Sequence, residues 1–321
     1  MSTQSTLKPT MGKATRDAYG EELVALGAER NDIVVLDADL ACSTKSQKFG
    51  DAYPERFFNL GIQEANMVGA ATGLASCGKV PFASSFASFL MAKSYDQARM
   101  GISNPNLNVK LVGSHGGISL GEDGASQMSI EDIALGVSLP HFAVLVPADE
   151  LSCRAVTRAI AAHDGPCFMR TGRPKAPVIY DAGASFTIGG SNVVRDGSDI
   201  TLIAYGLMVW ESLVAAETLA AEGVSARVID LYSIKPMDEA TVIAAARETG
   251  AIVCAEEHQV KGGMGSLVAQ VVTENAPVPM GFVGVEDTYA ESGQPAELHE
   301  KYGLTAAHIL AKAREVLGRK G

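Results

Sequence analysis

Apolar and polar positions follow one another along the chain in blocks of two kinds. Between Ala14 and Glu29 the apolar residues Leu23, Val24 and Leu26 fall at helical spacing, and Ile33-Val34-Val35-Leu36 then forms a short β-branched run. The exchange continues with a helix over Ile62 to Ser76, a strand over Val80 to Ser84, a helix over Phe86 to Ile102 and a strand over Asn108 to Gly113. A helix opening at Ser129 follows, with Asp132 three residues on as a capping box. Then come a strand over Phe142 to Pro147, a helix over Asp149 to His163 and a strand over Cys167 to Arg170. Strands separated by helices of about 10–15 residues predict βαβ crossovers and a mainly parallel sheet buried on both faces.

Between Thr171 and Asp199 the pattern lapses into Gly, Pro, Arg and Asp, which places a domain boundary there. A second cycle opens with a strand over Ile200 to Gly206, a helix over Trp210 to Ala221 and a strand over Ala226 to Leu231. It continues with a helix over Asp238 to Glu248, a strand over Ile252 to Glu256, a helix after Gly265, a strand near Phe282 to Val285 and a closing helix over Thr305 to Val316. The expected fold class is α/β, as two three-layer αβα domains with mainly parallel sheets. The domains are expected over residues 10–175 and 191–321, joined by a linker over 176–190.

Composition supports this reading and narrows the partners. The 321 residues are 47% hydrophobic and 20% charged, enough to bury two cores and to exclude disorder as the main state. A net charge of −11 argues against nucleic acid or an anionic membrane as partner. The five cysteines (Cys42, Cys77, Cys153, Cys167, Cys254) are scattered and form no CxxC pair, so a cytoplasmic, reducing location is expected. The polar start Met1 to Thr6 lacks the features of an export signal, and no apolar stretch approaches the ~18 residues of a membrane span.

Familiar cofactor motifs are missing. There is no GxxxxGK[ST] loop, and Gly262, Gly263 and Gly265 lack the third glycine and the acidic residue of a dinucleotide site, so they read as a tight strand-to-helix turn. The six histidines show no ligand spacing, and no metal ligand is assigned to this chain. Glu64 is more informative. It opens the apolar, small-residue helix Ala65 to Ala75, where a carboxylate either caps the N-terminus or is buried for a purpose. Gly121-Glu122-Asp123-Gly124 is a glycine-framed acidic loop that follows Ser114-His115-Gly116-Gly117. In a parallel sheet, loops after strands gather at one edge, so Glu64, His115 and Asp123 are expected to converge on one crevice.

The ordered set Ala14-Thr15-Arg16, Ala38-Asp39-Leu40, Gly61-Ile62-Gln63-Glu64, Pro81 to Phe86, Ser114-His115, Gly121-Glu122-Asp123-Gly124 and Met169-Arg170 resembles the C-terminal portion of transketolase over nearly the whole chain. With Gly172-Arg173-Pro174-Lys175 it looks like the C-terminal subunit of a split, two-chain transketolase. The resemblance implies a thiamine diphosphate shared with a partner chain, this chain holding the aminopyrimidine. Glu64 would then be the catalytic carboxyl that exchanges a proton with N1′ of the pyrimidine, with Phe86 and Phe89 packed on the ring and Asp39 bordering the cofactor. Arg16, Ser43, His115 and Arg170 match positions that bind a sugar phosphate, and Asp123 one that reads a substrate hydroxyl.

Two departures from the family pattern stand out. Gln127 replaces the histidine of Gly-Glu-Asp-Gly-Pro-Thr-His, and Ala92 stands where an aromatic residue is usual. A glutamine donates hydrogen bonds but does not exchange protons near neutral pH, so substrate preference is open. The Gly-Asp-Gly…Asn motif that holds pyrophosphate and metal is absent. A partner N-terminal subunit carrying that motif, with Mg²⁺ or Ca²⁺, is therefore expected, in an α₂β₂ heterotetramer whose second domain here serves subunit packing and not catalysis. Ketol transfer between sugar phosphates is the leading reading. The beta subunit of a 2-oxo-acid dehydrogenase and a non-catalytic scaffold subunit are its alternatives.

Overall fold

The computed structural model describes residues 7–320. The segment 1–6, read above for an export signal, and Gly321 lie outside the described residues. The first half of the chain runs β1 (Met11–Ala14), α1 (Thr15–Glu29), β2 (Ile33–Asp37), α2 (Ala41–Thr44), α3 (Gln47–Ala52), β3 (Phe57–Asn59), α4 (Glu64–Ser76), β4 (Val80–Phe86), α5 (Ala87–Lys93) and a turn, α6 (Tyr95–Gln97). It goes on with β5 (Lys110–Ser114), α7 (Asp132–Ser138), β6 (Ala143–Leu145), α8 (Glu150–Ala162), β7 (Cys167–Arg170) and β8 (Lys175–Pro177). The second half contributes β9 (Asn192–Arg195), β10 (Ile200–Ala204), α9 (Met208–Ala221), β11 (Ala226–Asp230), β12 (Ser233–Lys235), α10 (Glu239–Thr249), β13 (Ile252–Gln259), α11 (Met264–Asn275), β14 (Met280–Val285), α12 (Pro295–Lys301) and α13 (Ala306–Leu317).

These form two αβα units. A seven-stranded sheet has the order β12-β6-β7-β5-β4-β2-β3, and a five-stranded sheet the order β14-β13-β10-β11-β9. All pairings in them are parallel except those of β12 and β9, while β1 and β8 make a separate antiparallel ribbon. Every residue of β2, β4, β5 and β10 is buried, as continuous apolar strands covered on both faces require. The register pairs Asp37 with Ser84, Phe86 with Ser114 and Gly113 with Arg170, so the carboxyl ends of β2, β4, β5 and β7 lie along one edge.

Three of the chain's departures from its pattern bear on the architecture. The helix expected from Ser129 starts at Asp132 with no side-chain cap. The Ser129 backbone is bridged to Gly117 in both directions, which holds it outside the helix with its Oγ buried and unpartnered, and Asp132 is buried facing Arg170. The helix expected over Phe86 to Ile102 is broken instead: β4 extends to Phe86, and π-helical turns replace the α-helix over Ala98–Ser103. Finally, β12 leaves the second unit to pair antiparallel with β6 of the first, Ser233 opposite Leu145. The Gly263-Met264-Gly265 turn is a strand-to-helix turn whose N–H groups at Met264 and Gly265 are already taken by the buried Glu256 carboxylate, at 2.8 and 2.9 Å.

Candidate active site

At the strand edge, α4 presents Glu64 at its first residue, 2% exposed. The carboxylate reaches across to β4 and α5: Ser85 Oγ donates to Oε1, and Lys93 Nζ donates to Oε2, each at 3.2 Å. Burial with cross-element partners decides between the two readings of this residue, because these bonds do nothing for the helix's own first turn. Lys93 Nζ also lies 4.1 Å from the centre of the Phe89 ring, a cation over an aromatic face. Phe89 stacks on Phe86 at 5.6 Å and 18°, and Phe86 stacks on the His115 imidazole at 3.9 Å. A continuous row thus runs from Glu64 through Lys93, Phe89 and Phe86 to His115.

His115 begins the second half of the site. Its φ of 60° puts it in the left-handed region, as does the 65° of Asp39, and non-glycine residues held there gather at functional turns. Arg16 Nη1 donates to His115 Nε2 at 3.0 Å and also to the Ser43 carbonyl at 3.0 Å. Arginine only donates, so Nε2 accepts, and Nδ1–H therefore donates to Ser114 Oγ at 2.8 Å. Burial, followed by the Arg16, Arg173 and Lys45 cations, pushes the His115 pKa down to about 3. The imidazole is neutral at physiological pH. Arg16 Nε is buried with no hydrogen-bond partner, an unmet donor inside a cationic cluster that suits an incoming anionic group.

Asp37 sets the neighbouring loop. Its Oδ1 accepts from Leu40 N–H at 2.6 Å and its Oδ2 from the Thr44 and Ser46 hydroxyls at 2.7 and 2.9 Å, which fixes the turn bearing Asp39 and Ser43. Asp39 is exposed, with its N–H on Asn59 Oδ1 at 3.1 Å. Asp123 is also exposed, between Gly121 and Gly124 at φ of +85° and +82°, and its charge bears on Arg16. Gln127 is half-buried, its carbonyl accepting from Ser88 Oγ at 3.0 Å and its side-chain oxygen from Ser126.

The expectation for Arg170 is corrected. It is 3% exposed and turned into the interface between the two units, where Nη2 donates to the Glu257 carbonyl at 2.7 Å and Nη1 lies 3.5 Å from Asp132. Its guanidinium is consumed by that interface. The second guanidinium at the site belongs to Arg173, whose charge acts on both Arg16 and His115 and whose Nη1 donates to the Leu120 carbonyl and, at 2.8 Å, to Glu122. Arg173, Lys45, Lys93 and Asp37 were missed in the sequence. Arg173 was visible in the Gly172-Arg173-Pro174-Lys175 run, which reads there as a boundary and part of the resemblance only.

The residues fit one half of a thiamine cofactor. A buried carboxyl beside two aromatic rings suits an aminopyrimidine. Among the described residues, no group of three or more His, Cys, Asp and Glu side chains is placed to hold a metal ion. Residues 11–178 match the family of the transketolase pyrimidine binding domain, and residues 189–309 match that of the transketolase C-terminal domain. The chain belongs to the transketolase family. It is 41% identical, over 95% of both chains, to the 6-deoxy-6-sulfo-D-fructose transketolase subunit SqwH of Clostridium sp. (strain MSTE9). It is likewise 41% identical to transketolase-like protein 2 of Mus musculus, covering 95% of this chain but 49% of that one. A solved structure titled as a split gene transketolase, inactive beta4 tetramer, superposes with a TM-score of 0.91 at 46% identity, over 97% of this chain and all of that one.

Proposed function

We propose that this chain is the pyrimidine-binding subunit of a two-chain transketolase that moves a two-carbon ketol unit from a ketose to an aldose bearing an anionic tail. The observation that carries the reading is the single rim on which Glu64, the Phe86 and Phe89 rings and the Arg16–His115–Arg173 cluster lie in a row. When bound, thiamine diphosphate supplies the carbanion chemistry. Glu64 would exchange a proton at Oε2 with the pyrimidine N1′, once the Lys93 ammonium has moved off that oxygen. Ser85 would keep Oε1 in place, Phe86 and Phe89 would orient the ring, and Asp39 would border it. Arg16, Arg173 and Lys45 would take the substrate's anionic tail, Asp123 would hydrogen-bond a hydroxyl, and neutral His115 would accept another at Nε2 once Arg16 turns from it to the tail.

The partner would be an N-terminal transketolase chain with the Gly-Asp-Gly…Asn motif, holding the pyrophosphate with Mg²⁺ or Ca²⁺ in an α₂β₂ assembly. That a similar split-gene chain forms an inactive tetramer by itself supports the need for such a partner. The free state of all five cysteines suits a cytoplasmic setting, and no helix among the described residues is long and apolar enough to cross a membrane. Mixing the two chains with Mg²⁺ and thiamine diphosphate should restore ketol transfer from xylulose 5-phosphate to ribose 5-phosphate. Glu64→Ala should lower kcat by at least about 100-fold, the scale of a lost proton-exchanging group. Activity within a few-fold of wild type would falsify the assignment.

The donor class is wider than pentose phosphates. The relative named for 6-deoxy-6-sulfo-D-fructose and the presence of Gln127 both favour testing a sulfonated ketose. Arg16, Arg173 and Lys45 serve a sulfonate as well as a phosphate, so kcat/KM for 6-deoxy-6-sulfofructose against fructose 6-phosphate decides between the two donors.

A further inference from the structure

The loop Gly116–Gly124 carries Asp123, and its bed is built largely by the second unit. Glu257, on β13, points across the interface, and its Oε1 accepts the N–H groups of Ile118 at 2.7 Å and Ser119 at 2.5 Å. Gly117 lies directly on the same carboxyl group: a Cβ there would stand 2.2 Å from Glu257 Cδ, and its φ is +77°. Arg170, whose Nη2 holds the Glu257 carbonyl at 2.7 Å, fills the space beside Gly116. Glu257 is 5% exposed, and its burial is offset by His299 Nε2 at 3.5 Å and by Arg170, so the carboxylate stays ionised. An ionised acceptor makes the stronger kind of backbone hydrogen bond.

The contacts continue outward to the substrate end of the site. One residue past Ser119, the Leu120 carbonyl accepts from Arg173 Nη1, and Glu122 pairs with the same nitrogen at 2.8 Å. Gln294 of the second unit donates to the other oxygen of Glu122 at 3.1 Å, and Ser292 fills the space beside Gly124. The second unit therefore braces both ends of the segment that holds Asp123 and Arg173.

We propose that Glu257 is a positioning residue for substrate binding: through its two backbone hydrogen bonds the second domain sets the place of the loop that carries Asp123 and braces Arg173. This rests on the ketol-transfer reading and runs against the expectation that the second domain only packs subunits. Glu257→Gln keeps an acceptor oxygen without its charge, Glu257→Ala removes both, and Thr249→Ala, in the buried Thr201–Thr249 pair of the same domain, serves as a control with no bond to the loop. Hydrogen exchange on the full chain is expected to speed up about tenfold or more at Ile118 and Ser119 in Glu257→Ala, less in Glu257→Gln and not in Thr249→Ala, as loss of hydrogen bonds to a charged acceptor implies. In the assembled complex, the donor KM is expected to rise about tenfold in Glu257→Ala, with partial recovery in Glu257→Gln and unchanged thiamine diphosphate affinity. Unchanged exchange at Ile118 and Ser119 overturns the proposal, and so does faster exchange with an unaltered KM or a KM rise matched by Thr249→Ala. A wild-type complex with no ketol transfer overturns the functional reading instead and leaves the exchange result alone to decide the loop anchor.

Discussion

His115 is held neutral by its surroundings, and that has a consequence for stability. Its folded-state pKa of about 3 lies below the 6.5 of a free histidine. Below pH 6.5 the unfolded chain takes up the proton first, so the folded state loses about 1.4 kcal/mol per pH unit down to about pH 3 and keeps the full contribution above pH 6.5. Urea denaturation at pH 7 and pH 5 checks this: wild type should lose about 2 kcal/mol more over that interval than His115→Gln. Equal losses would place the imidazole outside its cationic, buried setting. Arg173 carries a second test at this scale. Arg173→Met should raise the donor KM about tenfold or more for phosphate and sulfonate donors alike, while cofactor affinity, measured by calorimetry on the complex, stays put. The sequence separated these residues unevenly. Glu64 and His115 were singled out by their places at a helix start and after a strand, and given roles only by the resemblance, since the residues alone left Glu64 either a cap or a buried carboxyl. Arg170 and Arg173 are three positions apart with the same chemistry. Only the turn after β7 decides which one faces the edge and which one enters the domain interface.

At the scale of elements, two similar signatures had opposite outcomes. Asp149 caps α8: its Oδ1 accepts Ser152 N–H at 2.8 Å, and Ser152 Oγ accepts Asp149 N–H at 2.9 Å. Its other oxygen accepts the N–H groups of Ile179 and Tyr180 at 2.9 and 3.0 Å, tying the segment after β8 to the start of α8. Ser129 and Asp132 offered the same kind of pattern, but the first is bridged to Gly117 and the second is buried beside Arg170. A local motif succeeds where the backbone is free to take the geometry it needs, and the bridge to Gly117 denies Ser129 that freedom. Asp149→Ala should therefore cost more than a lost cap, about 2–3 kcal/mol in urea unfolding, because the N–H groups of the half-buried Ile179 and Tyr180 also lose their acceptor. A loss below about 1 kcal/mol would mean that the cap alone matters. The long helices and central strands were readable from their periodicity. The three-residue strand β6 was readable too, from the apolar run around it, but β3, β8 and β12 were not, since their pairing is decided by partners elsewhere in the chain.

The two αβα units look separable in the sequence, and the packing joins them. β12 completes the edge of the first sheet from within the second half of the chain. A single buried cluster also runs from Met67, Leu90 and Phe168 of the first unit to Ile203, Val242 and Val268 of the second. The Arg170 guanidinium bonded to the Glu257 carbonyl, and the Glu257 carboxylate that accepts the Ile118 and Ser119 N–H groups, add buried polar contacts made only across the interface. Opening the interface would expose that cluster, leave the β6 edge unpaired and break those hydrogen bonds, so neither half gains by unfolding alone. Scanning calorimetry should then show one transition, with equal calorimetric and van't Hoff enthalpies, in place of the two expected of loosely linked domains. A fragment ending at residue 190 should fail to give a cooperative transition, because it keeps β6 and loses β12. Two resolved transitions in the full chain, or a cooperatively folding fragment, would return the second domain to the separate role that the sequence suggested. They would also remove the physical basis for a loop anchored from across the interface.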